Sequence, residues 1–191
     1  MKLPILIPVL LLALTSVVCA QAPAASGYQI TKLNRELVPT PEYTLSQGPS
    51  VKSSGRERWL QVEVEFSATP EFTDELTFKY FILIDGKLLT GEVAQVNILA
   101  GKELHSVMYV SPRALAHLLG NRSLTANSLQ NVAVQILAKG EVKDERSLVR
   151  SRPQWFTALP ALTGFVLNKN ETPFAPLFWD HYEQIKPAGA R

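Results

Sequence analysis

Three histidines, His105, His117 and His181, carry the ring nitrogens that could bind a metal or move a proton near neutral pH. None falls in an H-E-x-x-H or comparable ligand spacing, and the only cysteine is Cys19, so the sequence predicts no zinc site. Strand-like alternation sets His105 among polar neighbours, and helical spacing sets His117 outward; both are expected to be solvated imidazoles. Asp180 precedes His181, but adjacent helical residues point about 100° apart, so that carboxylate cannot orient that ring as a catalytic base. The carboxylate pairs Asp74-Glu75 and Asp144-Glu145 are also adjacent and diverge, whereas glycoside hydrolysis needs two carboxyls facing one cleft. No G-x-S-x-G elbow, phosphate loop or dinucleotide glycine pattern occurs, since Gly91 and Gly140 stand singly in strand-like surroundings. The expectation is a protein that is not an enzyme, with no catalytic, cofactor-binding or metal-ligating residues and no cofactor.

The remaining candidate is aromatic. In TPFAPLFWDHYEQI, Thr172 to Ile185, the residues Phe178, His181, Tyr182 and Ile185 recur at i, i+3, i+4 and i+7 after Pro173 and Pro176. That spacing predicts a short helix with one apolar stripe. A stripe of this kind most often folds back on its own domain, here across the open end of a sheet. Phe174, Phe178, Trp179 and Tyr182 form the candidate interaction surface, because terminal aromatics are enriched at protein interfaces. Stacking of a sugar on Trp59, Trp179 or Tyr182, as in a module that binds mucin-type glycans, is the alternative reading.

The elements that must position these residues are strands. WLQVEVEF alternates, with Leu60, Val62, Val64 and Phe66 on one face and Gln61, Glu63 and Glu65 on the other. LTFKYFILIDGKLLTGEVAQVNIL holds two apolar runs around Asp85-Gly86, the signature of a two-residue type I′ hairpin. Its first arm is apolar on both faces near Phe81 to Ile84, which predicts a central, covered strand. LHSVMYVS alternates again, and SPRALAHLLG then reads as a short helix capped by Ser111, begun by Pro112 and stopped by Gly120. NVAVQILAKGEVKDERSLV predicts two strands around Lys139-Gly140, and FVLNKN a last one. A first strand is expected near Ile30 to Val38, with a mobile loop from Gln47 to Arg58. WFTALPALTG is an irregular connector whose Trp155 and Phe156 cover one end of the core.

Together these give an all-β chain, an immunoglobulin-like antiparallel β-sandwich of seven or eight strands with one or two short helices. The domain is expected over residues 27–170, followed at 171–191 by the aromatic C-terminal segment and a polar tail. Residues 1–22 read as a signal peptide: Lys2, the apolar run from Leu3 to Val18, and an A-x-A site at Ala20-Gln21-Ala22. Cleavage there removes Cys19, so the exported chain, periplasmic or on the cell surface, would have no disulfide of its own and no transmembrane helix. The net charge of +2, less Lys2, leaves +1 with signs interspersed, which argues against nucleic-acid binding.

The segments RWLQVEVEF, LTFKYFILIDGKLL, YVSPRAL and LNKNETPFAPLFWDHYEQIK, which sample most of the chain beyond the leader, resemble a family of secreted immunoglobulin-like proteins. That family is encoded beside type IV pilus-like components in mucin-degrading gut bacteria and their relatives. The resemblance implies a sandwich similar to the globular part of archaeal type IV pilins. It also implies a role in a pilus-like or envelope assembly, or in contact with a host surface, with envelope or pilus proteins as partners. True pilins keep an apolar N-terminal helix after processing, whereas this apolar run reads as a removable leader, so an accessory protein fits better than a filament subunit.

Overall fold

The structure, a computed structural model, describes residues 27–43, 57–125, 127–149 and 153–187. The leader at 1–22 and nearly all of the expected loop from Gln47 to Arg58 lie outside the described residues.

One long hairpin organises the molecule. Strand β2 (Arg58–Ile84) turns at Asp85-Gly86 into β3 (Lys87–Val110), and both turn residues take positive φ, 49° and 75°, as a type I′ turn demands. The alternations read as separate strands at 59–66 and 76–84 are thus two halves of β2, and those at 87–99 and 104–110 two halves of β3. Their ladder is regular from the turn to Phe72↔Leu99, breaks on both sides of Ala68, and resumes at Phe66↔Leu104. At this break the hairpin bends and its two halves stack on each other. The ring centroids of Phe66 and Phe78 lie 4.9 Å apart, and the Tyr80 hydroxyl shares a 2.8 Å hydrogen bond with Ser106 Oγ across the core.

The other strands widen each half. Near the open end of the hairpin, β1 (Tyr28–Pro39) pairs with β2 and β7 (Val166–Asn168) with β3. Beyond the bend, β4 (Leu129–Ala138) pairs with β2, β5 (Glu141–Ser147) with β4, and β6 (Ala161–Leu162) with β3, the last in parallel. The result is a seven-stranded, almost entirely antiparallel sheet folded into a sandwich-like all-β domain, as the strand spacing predicts. Lys139-Gly140 makes the second tight turn, again with positive φ at both residues.

Leu60, Val62, Val64 and Phe66 from one half and Leu76, Phe78, Tyr80, Ile82 and Ile84 from the other are almost fully buried between the layers. β2 is central, as its two-faced apolar run implies: Phe81 and Leu88 point to the outer face, where Phe156 covers them with its ring stacked 3.7 Å from that of Phe81. Trp155 and Phe156 therefore cover a sheet face and not one end of the core. Helix α1 (Pro112–Leu119) forms as its caps require: Ser111 Oγ accepts from Ala114 N, and Gly120 closes the helix at φ 59°. Leu115, Leu118 and Leu119 bury its inner face. Among the described residues no helix is long and apolar enough to cross a membrane.

Candidate functional site

The segment after β7 is the largest departure from the sequence expectation. Asn168 opens a short 3-10 turn at Lys169–Glu171 with a reciprocal capping box, and residues 172–187 continue as turns and extended chain, not as the helix that the aromatic spacing predicts. Two prolines three residues apart remove backbone donors, and Phe178 sits at φ 51°, a left-handed conformation that ends any helical run. The i, i+3, i+4, i+7 stripe is therefore broken. The chain instead forms a strap across the outer face of the half-sheet made by β1, the start of β2 and the end of β3.

Both ends of this strap are anchored. At one end Phe174, 5% exposed, stacks on Tyr109 with ring centroids 4.5 Å apart and meets Trp59 edge-on at 5.7 Å. The Trp59 indole donates to Thr40 Oγ1, and the Tyr43 hydroxyl donates to the Pro173 carbonyl, so β1 and the chain after it close over the same cluster. At the other end backbone bonds join the strap to β3: Val96 N donates to Gln184 O and Lys186 N to Ala94 O, both at 2.8 Å. Glu183 N donates to His105 O, Ile185 bridges to Gln95, and the Lys186 ammonium meets Glu75 at 2.7 Å. Between these anchors the backbone loops outward, leaving Phe178 60% and Trp179 80% exposed.

The four candidate residues thus divide. Phe174 is core, closing a satellite cluster with Trp59, Val107 and Tyr109. Tyr182 is half-buried, and its hydroxyl donates to Glu63 Oε2 at 3.3 Å. Burial raises the Tyr182 phenol above its ordinary range, and the neighbouring Tyr109 and Glu63 push it further. Only Phe178 and Trp179 are presented to solvent. Trp59, a candidate sugar platform by sequence, is 8% exposed and closed to any sugar.

Under the strap lies a polar group that sequence spacing did not connect. Glu63 on β2, His105 on β3 and His181 on the strap bring one oxygen and two ring nitrogens to within 4.8 Å of one another. His105 Nδ1 lies 3.0 Å and His181 Nε2 3.5 Å from the same carboxylate oxygen, Glu63 Oε1. The two imidazoles stack with centroids 3.9 Å apart. The other carboxylate oxygen, Oε2, accepts from Gln61 Nε2 and from the Tyr182 hydroxyl. His105 is therefore not the solvated ring expected: its side chain is 15% exposed, sandwiched between β2 and the strap. His117 does face solvent, beside Phe165. Asp180 is exposed, and the carboxylate meeting His181 is Glu63, not its neighbour in sequence.

The adjacent carboxylates play structural parts. Asp144 Oδ2 accepts from Ile30 N at 2.6 Å and Glu145 Oε2 accepts from Gln135, so each ties a strand to its neighbour. An open groove of 740 Å³, lined by Lys79, Phe81, Gly91 and Phe156 of the half beyond the bend and by Val166 of β7 among others, contains no histidine.

A family model matches residues 20–188 of the chain. Among solved structures, the crystal structure of a protein from Akkermansia muciniphila superposes with a TM-score of 0.72 at 21% identity, covering 85% of this chain and 94% of that one. At this identity the likeness establishes a shared fold. No curated protein matches the chain.

Proposed function

The chain belongs to the family whose model spans residues 20–188, and on that premise we propose that it is an exported, non-enzymatic protein contributing protein–protein contacts to a pilus-like or cell-envelope assembly. The observation that carries this reading is the pair Phe178 and Trp179, 60% and 80% exposed on a loop whose flanks are both pinned to the sheet. Two large aromatic side chains held out by a rigid base lose little conformational freedom on binding, and such residues dominate interface energetics. The strap offers them as a preformed anchor for a pocket on an envelope protein. The partner class is drawn from the resemblance of the sequence motifs to proteins encoded with type IV pilus-like components.

Affinity capture from native envelope extract tests the reading. The wild-type protein is expected to retain a specific envelope protein, and Phe178→Ala with Trp179→Ala is expected to release it while leaving the fold intact. Recovery of background proteins alone, or equal capture by the double variant, overturns the proposal.

The exposure of Trp179 also supports a second use, stacking on a mucin-type glycan. Titration of tryptophan fluorescence with such glycans distinguishes the two, since a saturable response lost in Trp179→Ala belongs to the glycan reading alone.

A further inference from the structure

We propose that Glu63, His105 and His181 form a binding site for a divalent transition-metal ion of the zinc class, independent of the contact role of Phe178 and Trp179. Two imidazole nitrogens and one carboxylate oxygen are a donor set suited to zinc, with a fourth position open to water. The spacing fits. Bonds of about 2.0–2.1 Å in a tetrahedral site separate neighbouring ligand atoms by roughly 3.3 Å, and the two histidine nitrogens stand 3.0 and 3.5 Å from Glu63 Oε1. All three donor atoms fall within 4.8 Å of one another.

The surroundings hold the donors in place. Glu63 Oε2 is engaged by the Gln61 amide and the Tyr182 hydroxyl, which fixes the carboxylate and leaves Oε1 directed at both rings. Glu63 and His105 sit on adjacent, hydrogen-bonded strands, and the backbone bond from Glu183 N to His105 O seats the strap directly over them. The His181 side chain is 44% exposed, against 18% for Glu63 and 15% for His105, so an ion enters from its side and keeps its open position toward water. Bound there, the ion ties the strap to the sheet and stabilises the folded state by mass action.

The test uses zinc and cobalt(II) ions with the purified protein in a non-chelating buffer. Titration calorimetry is expected to give one saturable site, and cobalt(II) the intense visible absorption of a four-coordinate ion. A hundredfold excess of zinc over its Kd is expected to raise the Tm by roughly 5–10 °C. His181→Ala and Glu63→Gln should each weaken binding by at least tenfold, Tyr182→Phe by about tenfold or more through loss of the carboxylate's support, and His117→Ala should change nothing. His181 is exposed enough that its removal leaves the fold standing, which a metal-free melt of each variant verifies. Absence of a saturable site, or unchanged affinity in either His181→Ala or Glu63→Gln, overturns the proposal.

Discussion

At the residue scale, the aromatic side chains of the strap have opposite fates that their sequence spacing does not announce. Phe174 lies against two rings with 5% of its surface exposed, while Phe178 and Trp179, four and five residues on, project into water. Truncating a buried phenylalanine removes its transfer free energy and leaves a cavity, so Phe174→Ala is expected to cost about 3 kcal/mol or more, read from the shift in urea midpoint. Trp179→Ala is expected to stay within about 0.5 kcal/mol of wild type, because its ring touches little that folding buries. Equal losses in the two variants would mean that the strap is not anchored as described. Gly91 is a further single-residue case. A Cβ there would lie 2.6 Å from Val166 Cβ, so the half of β3 nearer the turn can pack this closely on the Val166 side chain of β7 only because position 91 has no side chain. Gly91→Ala is expected to lower stability by about 1–3 kcal/mol through overpacking.

At the element scale, the strap is a cover whose Phe174 closes over Trp59, Val107 and Tyr109. A chain ending at Asn170 is expected to melt well below the full-length protein, and an unchanged Tm would show that these side chains need no cover. Much of the scaffold was legible beforehand. Asp85-Gly86 and Lys139-Gly140 declare their turns by residue type, Ser111, Pro112 and Gly120 frame the helix, and period-two alternation identifies the buried face of both halves of β2, whereas the alternation read over the end of β3 gives way to burial of both faces at 106–110 under the strap. The Glu63–His105–His181 cluster was not legible, for a reason visible in the register. Carrying the Ile84↔Lys87 pairing straight down the hairpin sets His105 opposite Phe66, a residue of the buried face. The irregularity around Ala68 slips the ladder by one residue, and His105 lands opposite Glu65, on the face that carries Glu63. A slip of one residue reverses which face a strand residue shares with its partner; Ala100-Gly101-Lys102 has the composition of a turn and lies at the break, but local pattern does not fix the size of the slip that sets His105 beside Glu63. The strap departs from its sequence pattern for a related reason: the aromatic spacing is helical, but two prolines and the left-handed Phe178 prevail over it, and tertiary contacts then decide which rings are buried.

At the scale of the whole molecule, the buried phenols are expected to destabilise this fold at alkaline pH. Tyr80 and Tyr109 are almost fully buried and Tyr182 partly so, and desolvation raises all three above the ordinary phenol value of 10.0. The Tyr80 hydrogen bond to Ser106 and the nearby Tyr182 hydroxyl pull Tyr80 and Tyr109, respectively, back only in part. In the unfolded chain each phenol gives up its proton near pH 10, while the folded chain retains it, so above that pH the native state binds more protons. Their contribution is complete below pH 10 and is lost as pH rises through the folded values. Lys169 acts in the opposite sense. Burial lowers its pKa below 10.5, so between the folded value and 10.5 the unfolded state binds the extra proton and stability gains with pH. The gain fades by about pH 10.5, just after the unfolded phenols begin to ionise near 10.0, and beyond it Tyr80 and Tyr109 together remove about 3 kcal/mol per pH unit. Stability is therefore expected to hold up to about pH 10 and then to collapse cooperatively. Absorbance at 295 nm recorded alongside circular dichroism tests this directly. Phenolate from the three buried rings should appear only as the β signal disappears, whereas ionisation of all five tyrosines near pH 10 with the β signal intact would place Tyr80, Tyr109 and Tyr182 in water.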